Sequence, residues 1–155
     1  MGQNSGDHQV GGESKMYYNN GTYDSPTWVE NDNVGDLDGP DARTAVAVKI
    51  RRFWPQNRYL PGSRERGLTW TSAKAKGTVD TVLDHFLAVY DSGSPIELAI
   101  VDGDIITPGT RGKRDYYIIT KADESEPIDD TVTISFEAKP AANNAGKDLA
   151  AISVT

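Results

Sequence analysis

No cysteine occurs among the 155 residues. Disulfides, thiolate metal sites and thiol nucleophiles are therefore excluded, and the composition is compatible with an intracellular origin. Histidine is nearly absent too: His8 and His85 are the only two. His8 lies in a Gly-, Asn- and Ser-rich opening segment that cannot hold a catalytic group in place. His85 stands next to Asp84 on a predicted helix, where adjacent residues do not face one another. A histidine-rich metal site and a Ser/His/Asp triad are thus both unsupported. No apolar run approaches the ~20 residues of a membrane span. The polar N-terminus predicts no signal peptide.

Other chemical signatures are also missing. Asp102-Gly103-Asp104 and Asp129-Asp130 offer oxygen ligands, but the spacing of an EF-hand loop is absent, and Asp-Gly is ordinary turn vocabulary. The basic segment Gly109–Arg114 joins two predicted strands, so no helix N-terminus supplies amides for a phosphate. Nothing in the spacing of the acids selects a catalytic carboxylate pair. The sequence predicts no enzyme, no cofactor and no metal.

What is present is turn-rich and acidic. Fifteen Gly and eight Pro accompany a hydrophobic fraction of only 37%, which favours short strands over long helices. The net charge is −7, which disfavours general affinity for nucleic acid or anionic membranes. The charge is uneven. Residues 43–66 carry seven basic groups (Arg43, Lys49, Arg51, Arg52, Arg58, Arg64, Arg66) against Glu65 alone. Residues 78–138 carry thirteen acids against Arg111, Lys113, Arg114 and Lys121. A bipolar chain favours head-to-tail contact between copies if the fold keeps the two regions apart.

The segmentation predicts a flexible arm over 1–14 and one β domain over 15–155. Strands are expected at Lys15–Tyr18, Trp28–Val34, Thr44–Phe53, Leu68–Lys76, Ile96–Val101, Tyr116–Ala122 and Thr131–Pro140, with a possible edge strand in the tail after Ala141. Gly35–Asp41, 54–67 and Thr107–Arg114 read as loops or links, and Thr44–Lys76 reads as one extended hairpin. Thr78 is positioned to cap a helix whose stripe is Val79, Val82, Leu83, Phe86, Val89 and Tyr90. Strands dominate without βαβ alternation, so the fold class is mainly β: an antiparallel sandwich or barrel with one packed helix.

Two features suggest contact surfaces. The segment 54–67 combines Trp54 and Tyr59 with several arginines, a mixture enriched where proteins touch proteins. Arg51, Arg52, Trp54, Arg58, Tyr59, Arg64 and Arg66 are the candidate contacts to a neighbouring copy. The last clear strand alternates strictly: Val132, Ile134, Phe136 and Ala138 fall on one face, Thr131, Thr133 and Ser135 on the other. Thr69 and Thr71 form a similar small polar row. Such faces are suited to packing on a neighbouring subunit or to lining a channel.

Several segments, in order, resemble the tail tube (major tail) proteins of long-tailed bacteriophages. They are Tyr17–Tyr23 with Trp28-Val29-Glu30, then Val79–Tyr90 running into Gly93–Asp104, then Glu126–Asp130 with Thr131–Pro140. The resemblance covers most of residues 15–140. It implies a sandwich-like subunit without catalytic residues, assembled in the host cytoplasm into hexameric rings that stack as a hollow virion tail. The implied partners are further copies of the chain, other tail proteins and DNA in transit without specific binding; no membrane is implied. The alternative reading is a carbohydrate- or protein-binding β-sandwich module with Trp54 and Tyr59 as its platform.

Overall fold

The computed structural model describes residues 14–32, 34–74, 81–126, 128 and 132–155. Ten strands and one helix lie within them: β1 Lys15–Asn19, β2 Trp28–Glu30, β3 Val34–Asp38, β4 Asp41–Val48, β5 Arg58–Arg66, β6 Leu68–Ala73, α1 Thr81–Ser92, β7 Ile96–Val101, β8 Arg111–Ser125, β9 Thr133–Pro140 and β10 Ala150–Ser153. The expected class, mainly β with a single packed helix, is the observed one.

Eight strands form one antiparallel sheet in the order β2-β1-β7-β8-β9-β6-β3, with β10 on the first half of β8. The sheet is strongly curved, and α1 shows why. Phe86 is fully buried and touches Tyr18 of β1 (ring centroids 5.6 Å) and Trp70 of β6 (5.4 Å). In a flat sheet β1 and β6 are four strand spacings apart, roughly 19 Å, too far for one ring to reach both. The sheet therefore wraps around the helix. Met16, Leu68, Leu83, Leu98, Ile134 and Phe136 fill the same core. The alternation in β9 is realised: Ile134, Phe136 and Ala138 are buried.

The region 31–67 differs from the sequence reading in an instructive way. The expected strand Trp28–Val34 is interrupted after Glu30, and the expected loop Gly35–Asp41 contains β3. Val34 and Leu37 both pack on the core although they are three residues apart, because the β3–β6 register shifts between them. A bulge of this kind breaks the period of 2. The expected loop 54–67 contains β5, with Pro61 in register opposite Ala45. Proline is accepted there because the ribbon is exposed and its register shifts between Arg43 and Ala45. Gly62 is needed at that irregularity, since a Cβ would stand 2.3 Å from Thr44 Oγ1.

The expected extended hairpin is therefore replaced by a different pairing. β4 pairs with β5 as a separate two-stranded sheet, and β6 pairs with β3 and β9. The strand expected to run to Phe53 ends at Val48, and Arg51–Phe53 forms a short 3-10 turn. The link expected at Thr107–Arg114 supplies the first residues of β8, paired with both β7 and β10. The helix is found at Thr81–Ser92, with Val82, Leu83 and Phe86 buried. Thr78, Val79, Thr131, Asp129 and Asp130 lie outside the described residues, as does most of the expected arm.

Candidate assembly surfaces

β3 continues into β4, and β5 into β6, so the hairpin prolongs the β3–β6 pair beyond the core. The joint lies at Gly39-Pro40 and Gly67, where the Gly67 N–H donates to the Pro40 carbonyl at 2.9 Å. Two ion pairs hold its base. Arg64 binds Asp41, a contact that lowers the Asp41 pKa and raises that of Arg64 through their mutual hydrogen bond. Arg66 binds the buried Asp115 of β8. Arg64 and Arg66 are thus committed within the chain, as anchors of the hairpin.

Beyond the base the hairpin buries almost nothing. Val46 lies opposite Leu60, and Ala47 opposite Tyr59. Val46, Ile50, Tyr59 and Leu60 are all exposed, and Trp54 is 82% exposed. Around them stand exposed Arg51, Arg52 and Arg58, with Arg58 Nη2 donating to Gln56 Oε1 at 2.9 Å. The structure so brings five of the seven candidate contacts (Arg51, Arg52, Trp54, Arg58 and Tyr59) to the outer part of one projecting ribbon. A two-stranded ribbon is marginal by itself in water, and grouped exposed apolar side chains of this kind make it the candidate contact surface.

The second candidate surface is also gathered in space. Thr71 pairs with Ser135, Ala73 with Thr133, and Thr69 with Glu137. Thr69, Thr71, Thr133 and Ser135 therefore share the face of the sheet opposite the helix. β8 continues this face with Lys121, Asp123 and Ser125, opposite Glu137, Ser135 and Thr133. Thr71 also joins β3 to the sheet: its Oγ1 accepts the Asp36 N–H at 3.1 Å, and Gly35 lies so close that a Cβ would approach this oxygen to 2.6 Å.

Among the described residues the outer sides of β2, of β10 and of the β4–β5 ribbon are open edges, and two further open edges flank the polar face. One is the outer side of β3. The other is the second half of β8, from Ile118 onward, which pairs with β9 on one side while β7 ends opposite Tyr117. A third feature is an open cleft of about 960 Å³ near the hairpin base, walled by Val34, Leu37, Leu68, Val101 and Tyr117.

A buried polar node escaped the sequence reading. Glu97 of β7 is almost fully buried and accepts from Arg114 Nε (2.7 Å), Arg114 Nη2 (2.9 Å) and Asn19 Nδ2 (2.7 Å). The guanidinium lies 3.9 Å from the Tyr23 ring centre. Burial works against the Arg114 charge, but the hydrogen bonds and charge of Glu97 outweigh it and the pKa is raised. The available signal was an acid inside the apolar run Ile96–Val101. His85 is likewise structural: it stacks on Tyr18 at 4.3 Å, and burial lowers its pKa. No group of three or more potential metal-ligating side chains occurs among the described residues.

No protein-family model and no curated protein matches the sequence. Solved structures match the fold. A chain of the SPP1 tail tube aligns with a TM-score of 0.67 at 15% identity, over 84% of this chain and 74% of that one. A chain in the tail of the empty GTA particle, refined with C6 symmetry, gives 0.68 at 12% identity, over 96% and 100%. A chain of the anti-feeding prophage baseplate, 6-fold symmetrised, gives 0.62 at 10% identity, over 100% and 99%. The fold is that of tail tube proteins.

Proposed function

We propose that this chain is a structural subunit whose copies close into sixfold rings, and whose rings stack into the hollow tube of a virion tail. The observation that carries this reading is the projecting β4–β5 ribbon. It exposes Val46, Ile50, Trp54, Tyr59 and Leu60 to water among the described residues, and a neighbouring subunit supplies their cover. The shared fold supports the same reading, as does the sixfold symmetry named for two of the matched assemblies.

Ring closure uses two of the open edges: the outer side of β3 in one copy against Ile118–Ser125 of the next. Pairing them removes unsatisfied backbone groups from both. The face bearing Thr69, Thr71, Thr133 and Ser135 then lines the channel. Its small hydroxyls stand beside lysines that are paired with acids, Lys121 with Asp123 and Lys139 with Glu137, so no unopposed basic array meets DNA phosphates and DNA passes without being held. Arg51, Arg52, Trp54, Arg58 and Tyr59 make the contact between rings. The subunit carries out no catalysis, assembles in the host cytoplasm, and joins other tail proteins at the ends of the tube.

Negative-stain microscopy of the concentrated protein tests the proposal. Rings or tubes are the expected result. A species that remains monomeric at every concentration refutes it, and if that monomer binds glycans the alternative module reading replaces it. Nothing in the geometry favours that alternative, because no ring contact joins Trp54 to Tyr59 among the described residues.

A further inference from the structure

The two ends of the strand axis differ in chemistry. β6 runs from Leu68, beside the hairpin base, to Ala73 at the far end. Ala73 pairs with Thr133, and Thr133 with Ser125. Ser125 and Thr133, between which the β8–β9 connection runs, therefore lie at the end of the sheet opposite the hairpin. Ile128 in that connection is 99% exposed. Asp123, Glu124 and Glu126 precede it. Lys121 pairs with Asp123 and Lys74 with Glu124, each at 3.0 Å, while Glu126 has no ion pair among the described residues.

The hairpin tip is the complement. Val48, Ile50 and Trp54 wall an open hollow of about 580 Å³, whose rim includes Lys49 and Arg51. This volume is several times that of an isoleucine side chain. Arg52, also exposed, is adjacent in the chain. Another exposed isoleucine, Ile106, precedes the start of β8 and so lies at the same end as the hairpin. Only a contact between opposite ends repeats indefinitely along one axis.

We infer that the hairpin-tip hollow of one copy receives Ile128 of a second copy, with Lys49, Arg51 and Arg52 facing Glu126. This rests on the tube-subunit reading and assigns the receiving surface of its ring-to-ring contact. The apolar side chain supplies burial, and the opposed charges fix which end meets which. The contact is heterologous, so each copy uses its hairpin once and its acidic connection once.

The absence of native cysteine makes cross-linking decisive. Asn57→Cys and Ile128→Cys proteins are mixed, assembled and treated with a mild oxidant; Asn57→Cys with Ile106→Cys serves as comparison. A disulfide-linked dimer is expected to form at least about tenfold faster in the first mixture, because docking raises the local thiol concentration. Because the Ile128 substitution removes the proposed anchor, a second test leaves it in place. Arg52→Glu and Glu126→Lys should each raise the protein concentration needed for tube formation, and the double variant should recover most of the loss. Tubes whose Ile128 thiol links no faster than that at 106, or a double variant no better than the worse single, overturn the contact while leaving the tube reading standing. A parent protein that forms neither rings nor tubes overturns the tube reading, and this contact with it.

Discussion

Replacing Trp54 with alanine separates assembly from folding. A tryptophan side chain offers roughly 150–250 Å² of contact surface. With 82% exposed, roughly 120–200 Å² remains to be covered. At about 25 cal/mol per Å² full cover would contribute ~3–5 kcal/mol per contact. Partial cover by about half, with alanine retaining a little, leaves ~1.5–2.5 kcal/mol, or roughly a 10–70-fold change in association constant. Exposed substitutions of this kind change folding stability by about 0.5 kcal/mol or less. The assay is paired: sedimentation across a concentration series locates the assembly threshold, and thermal unfolding of the dilute subunit reads stability. The expected result is a threshold raised roughly 10–70-fold with an unchanged melting temperature. A threshold that does not move refutes the assignment of the ribbon as a contact. A melting temperature that falls in parallel refutes the claim that Trp54 lies outside the core.

Two further outcomes follow from the interior. Arg114→Met removes the partner of Glu97, whose side chain is 2% exposed; about 3–5 kcal/mol of stability should be lost. Glu97→Gln in the same chain should restore part of it, and denaturant titration of the parent and the two variants checks both statements. His85 has a pKa lowered by burial against Tyr18, so its unfolded form binds a proton first as pH falls. Its contribution is complete above about 6.5 and declines as pH drops through the lower folded value. His85→Phe should flatten that decline, and melting temperatures between pH 7.5 and 5 measure it; parallel profiles would exclude His85 as the source.

The parts of the fold legible in sequence are those whose period matches their burial. β9 and β7 were readable because one face, or both, meets the core. α1 was readable because Val82, Leu83 and Phe86 recur at helical spacing. β3 was not, since its bulge sets Val34 and Leu37 on the same side and Gly35 interrupts the row. β5 was hidden by Pro61 and Gly62, which are turn residues wherever a chain is surrounded but are tolerated on a ribbon with open faces. The candidate rows Thr69/Thr71 and Thr133/Ser135 were legible one strand at a time. Their joining on one face is a property of the β6–β9 register, which no local pattern encodes. Glu97 and Arg114 lie seventeen residues apart in sequence and become partners only through the β7–β8 pairing.

Val46, Val48 and Ile50 alternate along the chain, a pattern that ordinarily marks the buried face of a strand. Periodicity records that one side of a strand is apolar; it does not record which molecule covers that side. β6 and β5 are consecutive, separated only by Gly67, and carry similar side chains into opposite circumstances. Leu68 and Trp70 are buried in the core they share with α1, whereas Leu60 is exposed. Among the described residues nothing covers the outer part of β4 and β5: these strands form a separate sheet and pair only with each other. An apolar face left unfilled along an otherwise ordered ribbon is unfavourable for a solitary subunit and favourable for an assembled one. On the proposed reading, the same exposed residues supply the driving force for joining copies, and the acidic end of the sheet supplies the direction.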